Sequence, residues 1–214
     1  MPVNTLFIDL DDTIYPPRDG IWEAIGVRID SFIHLKLGHD PLEIPLLRER
    51  LFHQYGTTLR GLQTEFSINP FEYLDYVHNI PLKDLLTPNP GLKDVFAAIP
   101  QRKLIFTNSD RNHSRRVLEF FNILPFFERI IDVMDVAPYC KPNLNAFQSA
   151  LQLAGVSDPS TCALIDDSPR NIQAAHQVGM YCVHVGPPDK TPPSADRWIA
   201  NIESLPSALA EMSD

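Results

Sequence analysis

Short apolar runs, several followed closely by a polar residue that can do chemistry, recur along this chain between helix-like stretches. The first is Thr5-Leu6-Phe7-Ile8-Asp9-Leu10, and it runs into Asp11 and Asp12. A continuous run of this length, rich in strand formers, suits a strand buried on both faces. After the rigid joint Pro88-Asn89-Pro90-Gly91 the alternation becomes regular. Helix-like Leu92–Ile99 precedes Leu104-Ile105-Phe106, and Ser114–Phe121 precedes Ile130-Ile131-Asp132-Val133. Asn143–Ala154 then precedes Cys162-Ala163-Leu164-Ile165, and Asn171–Val178 precedes Cys182-Val183-His184-Val185. Helices alternating with buried strands predict right-handed βαβ crossovers and a parallel sheet covered on both faces. Arg197 to Asp214 reads as a loop and a last helix.

The stretch from Ile21 to about Leu86 shows no strand-like run. Trp22, Ile25, Ile29, Phe32 and Ile33 recur at helical spacing up to Gly38, and a second helix runs through Leu46, Leu51 and Phe52 to Gly56. Leu59, Leu62 and Phe66 mark a third helix, and Asn69-Pro70 opens a fourth with Phe71, Leu74 and Val77 on one face. The expected architecture is one α/β core, residues 1–14 and 88–214, interrupted by a helical insertion over 15–87. Because the insertion follows the first strand, it sits over the carboxyl edge of the sheet, where open α/β folds bind ligands.

Composition narrows the function. Among 214 residues, 18 are lysine or arginine and 27 aspartate or glutamate, a formal net charge of −9. That balance leaves no electrostatic footprint for nucleic acid or anionic lipid, but it does not oppose a small anionic substrate at a locally positive site. No apolar run approaches the roughly 20 residues of a membrane helix. Met1-Pro2-Val3-Asn4 has no signal-peptide character. Cys140, Cys162 and Cys182 are an odd number in a long chain, which argues against a disulfide framework and for a reducing, cytoplasmic setting. A monomer or homodimer is expected. With 9 glycines in the chain, glycine-rich nucleotide loops are scarce.

The strand ends carry the chemistry. The first leaves Asp9 and Asp11; the second leaves Thr107, Asn108 and Ser109; Lys141 follows the third, beyond Ala137-Pro138-Tyr139-Cys140; the fourth leaves Asp166 and Asp167. A parallel sheet brings these points together. Clustered carboxylates repel unless a cation neutralises them, and all-oxygen ligands suit Mg²⁺, which also takes substrate phosphate. A lysine supplies further positive charge, and a threonine hydroxyl and loop N–H groups can hold phosphate oxygens. The set describes phosphoryl transfer: Asp9 as a nucleophile forming an aspartyl-phosphate, and Asp11 as general acid and then base. Taken singly, each piece has a plainer reading. Asp9 to Thr13 could be a solvated acidic loop, Thr107-Asn108 a strand-ending turn, Lys141-Pro142 a helix start and Asp166-Asp167-Ser168 an N-cap. Their order and convergence give them functional weight.

Asp9-Leu10-Asp11-Asp12-Thr13, Thr107-Asn108, Lys141-Pro142 and Asp166-Asp167-Ser168 resemble, in order, the motifs of the haloacid-dehalogenase-like phosphatase superfamily. Asp11-Asp12-Thr13-Ile14-Tyr15-Pro16, Tyr55 to Leu62, Phe106-Thr107-Asn108 with His113, and Ile165 to Ile172 look like its pyrimidine 5′-nucleotidase branch. The resemblance implies a Rossmann-like core, a helical cap, Mg²⁺ dependence and hydrolysis of nucleoside monophosphates such as UMP or CMP. It implies Asp9 as nucleophile and metal ligand, and Asp11 as acid/base with its main-chain carbonyl on the metal. Thr107 and Asn108 would hold the phosphoryl group, Lys141 would order Asp9 and the phosphate, and Asp167 would ligate the metal. Asp166 would ligate it too or hold a metal-bound water.

His113, a few residues past Thr107-Asn108, is a candidate for the substrate mouth, whereas His34, His39, His176 and His184 show no metal-ligand spacing. Trp22, Phe52, Tyr55 and Phe66 read as helical core rather than a stacking platform, and Cys140 as an apolar filler. Arg18, Arg60 and Arg111 are candidate substrate contacts that equally suit a solvated surface. Three other functions compete. The same chemistry could act on another small phosphate. A receiver-like signalling module is disfavoured because its lysine comes last. Haloacid dehalogenation has no leaving alkoxide for Asp11 to protonate.

Overall fold

A computed structural model describes residues 3–211, the Arg18 side chain excepted. The Arg18 candidate contact and the end of the expected last helix, residues 212–214, therefore lie outside the described residues. Strand β1 (Thr5–Ile8) leads into helices α1 (Ile21–Leu37), α2 (Ile44–Tyr55), α3 (Thr58–Phe66), α4 (Pro70–Val77) and a single turn, α5 (Leu82–Leu85). Then come α6 (Leu92–Ala97), β2 (Arg102–Phe106), α7 (Arg111–Phe120), β3 (Arg129–Ile131), α8 (Leu144–Leu153), β4 (Cys162–Asp166) and α9 (Pro169–Val178). The chain closes with β5 (Tyr181–Val185), β6 (Arg197–Ile199) and α10 (Leu205–Ala210).

The six strands form one sheet in the order β3-β2-β1-β4-β5-β6, and every neighbouring pair is parallel. The two-residue period of a strand sorts its side chains between faces. Leu6, Ile8, Ile105 and Ile165 join one buried cluster, and Phe7, Leu104, Phe106 and Leu164 the other. Helices α8 and α9 cover the second cluster through Phe147, Ala150 and Ile172. The first is covered by α6, α7 and α10 and continues without a break into α1 to α4 through Ile25, Phe32, Leu51, Leu62 and Leu74.

The expected parallel α/β layering is thus present, with corrections. Arg197–Ile199 is a strand rather than a loop. It is a three-residue edge strand with one buried side chain, Ile199, too short to show a period. The turn α5 is likewise shorter than any periodic signal. Helix α7 starts earlier than the apolar pattern predicts, because the Asp110 carboxylate caps it, accepting from the main-chain N–H groups of Asn112 and His113.

This strand order places a topological switch point between β1 and β4. From β1 the chain moves to β2 on one side; from β3 it crosses back to β4 on the other. Crevices at such points, outside the carboxyl ends of the strands, are where open α/β sheets bind ligands. The register sets Ile8 opposite Ile165, and the Asp9 N–H donates to the Ile165 carbonyl at 2.9 Å. Asp9 and Asp166 therefore emerge side by side.

Candidate active site

Lys141 sits between these two carboxylates. Its Nζ lies 2.9 Å from Asp9 Oδ1 and 2.7 Å from Asp166 Oδ2, and the residue is 1% exposed. Burial alone would push a lysine down, but Asp166 and Asp9 outweigh it and hold the ammonium well above its ordinary range. Asp166 is saturated: Asn171 and the Ser168 N–H donate to it as well as Lys141. Asp167 differs. Among the described residues its carboxylate receives one long hydrogen bond, from Thr13 at 3.4 Å.

Burial, then the charges of Asp166, Asp9 and Asp12, push the Asp167 carboxyl up to about 9. Burial also dominates at Asp9, raising it to about 7 against the pull of Lys141. Oxygens from Asp9, Asp166 and Asp167 lie within 4.8 Å of one another. The donor set is all oxygen, carries more negative charge than Lys141 offsets, and leaves Asp9 and Asp167 short of donors. That fits a hard divalent cation held directly by Asp9 and Asp167, with Asp166 occupied by Lys141 and Asn171.

Asp11 is 4% exposed and fully engaged. Tyr15 OH donates to Oδ1 at 2.5 Å, His113 Nε2 lies 2.8 Å from the same oxygen, and the Ser109 hydroxyl donates to Oδ2. Burial works to raise this carboxyl, but His113, Ser109 and Tyr15 together hold it far below the usual range. His113, expected near the substrate mouth, is fully buried behind Asp11 and does not line the cavity that Asp9, Asp11 and Lys141 share.

Thr107 and Asn108 do reach that cavity. The Thr107 hydroxyl accepts from the Ser109 N–H at 3.0 Å. The Asn108 amide is occupied on both sides by the main chain of Lys141, donating to its carbonyl and accepting from its N–H, each at 2.9 Å. The Asn108 main-chain N–H has no partner among the described residues.

The cavity spans about 630 Å³ between the strand ends and the helices α1 to α4. Trp22 and Phe52 line it at 46% and 45% exposure, so both face a hollow rather than the helical core expected of them. The Arg170 guanidinium lies 4.8 Å from the Phe52 ring centroid, and its Nη1 is buried without a partner among the described residues. The remaining candidates lie elsewhere. Tyr55 and Phe66 pack against the core. Arg60 is buried on the carbonyls of Tyr139 and Val133, and Arg111 pairs with Asp135. His184 is held by Thr191 and the Asp167 carbonyl, and Cys140 is buried as a filler.

Residues 3–179 match the model of the haloacid dehalogenase-like hydrolase family. The chain belongs to that family. Among curated proteins it is similar to Phosphate metabolism protein 8 of Saccharomyces cerevisiae, 27% identical over 197 residues. That match takes in 85% of this chain but 61% of the yeast protein, so the chain spans less than two thirds of its relative. Among solved structures it resembles a HAD phosphatase from Thermococcus onnurineus, with a TM-score of 0.67, 20% identity and 98% of each chain covered. The HAD-hydrolase YfnB from Bacillus subtilis, bound to magnesium, superposes with a TM-score of 0.61 at 16% identity, covering 98% of this chain and 99% of that one. These structures show the fold. No helix among the described residues is long and apolar enough to cross a membrane.

Proposed function

We propose that this hydrolase is a Mg²⁺-dependent phosphomonoesterase acting on pyrimidine nucleoside 5′-monophosphates through an aspartyl-phosphate on Asp9. The observation that carries the reading is Lys141, buried at the switch point and shared by Asp9 and Asp166. A cation so placed orients one carboxylate for attack and neutralises charge on the transferring group.

In this reading a carboxylate oxygen of Asp9 attacks phosphorus while the bond from phosphorus to the ester oxygen breaks. Asp11 gives its proton to the departing alcohol, then takes one from the water that hydrolyses the aspartyl-phosphate. Asp11 rests ionised, the form suited to the second step; a phosphate dianion entering the pocket favours its protonation for the first. Thr107 and the Asn108 N–H hold phosphoryl oxygens. Asp9 and Asp167, with the Asp11 main-chain carbonyl, would hold Mg²⁺, which would supply the remaining charge neutralisation. The magnesium bound to YfnB and the name of the yeast relative, Phosphate metabolism protein 8, agree with this chemistry.

The nucleoside part rests on the cavity. Its volume suits a ligand of that size, Trp22 and Phe52 offer aromatic faces, and beside them Arg170 has a donor without a partner among the described residues. Residues 15–87 serve as a cap that closes on the leaving group, over a core of residues 1–14 and 88–214. The three free cysteines agree with a cytoplasmic setting.

A panel of phosphate esters assayed with Mg²⁺ tests the substrate. UMP and CMP should exceed glucose phosphates and phosphoglycolate by at least ~10-fold in kcat/KM, as expected when a pocket binds the whole leaving group. Equal turnover would refute the nucleotidase reading. Asp9→Asn should abolish turnover with the fold intact, and wild-type activity in that variant would remove the covalent mechanism.

A further inference from the structure

His113 does not line the cavity shared by Asp9 and Lys141, yet it is a polar residue at 0% exposure. Its Nε2 lies 2.8 Å from Asp11 Oδ1, while its Nδ1 is buried without a partner among the described residues. An apolar side chain would fill the same space without burying an unpaired nitrogen, so packing does not account for a histidine here. What the ring adds is one donor on Asp11. Tyr15 and Ser109 already donate to the same carboxylate, so the Nε2 contact is read as a third donor on it.

The ring is also fixed from behind. His78, just past α4, stacks on it with centroids 4.6 Å apart and planes 23° from parallel. The Nδ1 of His78 pairs with the carboxylate of Asp110, which caps the helix carrying His113. Arg116, from the same helix, donates to the carbonyls of His78 and Ile80 at 2.9 and 2.7 Å. The segment after α4 is thereby clamped to α7 and His113 is held against Asp11.

We propose that His113 is a positioning residue: its Nε2–H, with the hydroxyls of Ser109 and Tyr15, sets the rotation of the Asp11 carboxylate toward the leaving oxygen. His78 ties that orientation to the seat of α4. The inference rests on the reading of Asp11 as proton donor. When the ester bond breaks, its electron pair goes to the alcohol oxygen, which takes the Asp11 proton. An alkyl leaving group needs that proton in the transition state, whereas p-nitrophenolate leaves without it.

The test is single-turnover release of the alcohol from the whole chain with Mg²⁺, comparing the best alkyl phosphate of the panel with p-nitrophenyl phosphate. His113→Leu should slow alkyl release ~30-fold, a fraction of what general acid catalysis supplies, and slow nitrophenolate release far less. His113→Gln, which restores a donor at similar reach, should recover most of the loss. Ser109→Ala should show the same selectivity and replaces His113→Leu if that variant does not fold. Equal slowing of both esters, or of neither, overturns the inference. Asp11→Asn separates the two ideas. If it shows the selective loss and His113→Leu does not, positioning by His113 fails and the acid role stands. If Asp11→Asn lacks the selectivity, the acid reading falls and this inference with it.

Discussion

Asn108 uses its whole amide on the main chain of Lys141, one hydrogen bond in each direction at 2.9 Å. The consequence is felt at the other end of the lysine, where Nζ must bridge Asp9 and Asp166 from a nearly sealed position. Removing the amide frees the backbone that aims this ammonium. Asn108→Ala should cost about 1–3 kcal/mol for two hydrogen bonds in urea unfolding. It should also lower kcat by ~10-fold or more, since misplacement of reacting groups is costly, while KM for substrate changes less. Unchanged kcat with reduced stability would leave Asn108 a purely structural tie. Such ties are hard to read in a sequence. Asp9, Lys141 and Asp166 announce themselves because each follows a buried strand or its loop. The partners of Asn108 and His113 lie 33 and 102 positions away, with no local pattern to mark them.

Between α2 and α3 the chain turns at Gly56 with φ +89°, a conformation that L side chains rarely adopt. A Cβ there would also come 3.0 Å from Cys140 Sγ and 3.3 Å from the Lys141 carbonyl. The joint is seated on the segment that carries Lys141, and Arg60 fastens α3 to the same segment through Tyr139 and Val133. Gly56→Ala should therefore destabilise the protein by about 1–3 kcal/mol through backbone strain alone and depress kcat as Lys141 shifts. Wild-type stability would show that the joint relaxes away from Cys140. The helices themselves were legible, because α1 to α4 repeat their apolar residues at helical spacing. Helical spacing identifies an apolar stripe but not what the stripe faces, so Trp22 and Phe52 read as core although they line a hollow. Strand β6 escaped for the opposite reason: a three-residue edge strand has no period to detect.

Across the whole molecule, the strand order collects acidic groups from distant parts of an already acidic chain at one crevice, and that has a thermodynamic signature. Without a metal, Asp167 is pushed up to about 9 by burial and by Asp166, Asp9 and Asp12, and Asp9 to about 7. Both values lie above the ordinary carboxylate range, near 4 in an unfolded chain. The folded protein therefore keeps protons that the unfolded chain has already released. The stability these protons contribute is complete below about pH 4 and is lost as pH rises through about 7 and then about 9. In the presence of a chelator, the melting temperature should fall steadily from about pH 5 to about pH 9. A divalent cation competes with those protons for the same oxygens, so it binds more tightly as they leave. Millimolar Mg²⁺ should raise the melting temperature most at the alkaline end and flatten its pH dependence. Asp167→Asn should remove much of the slope in chelator and much of the Mg²⁺ shift together, because Asp167 contributes to both. A melting temperature independent of pH in chelator, or a Mg²⁺ shift as large at about pH 5 as at about pH 9, would mean that the crevice charge is already balanced and that Asp9 and Asp167 do not form a cation site.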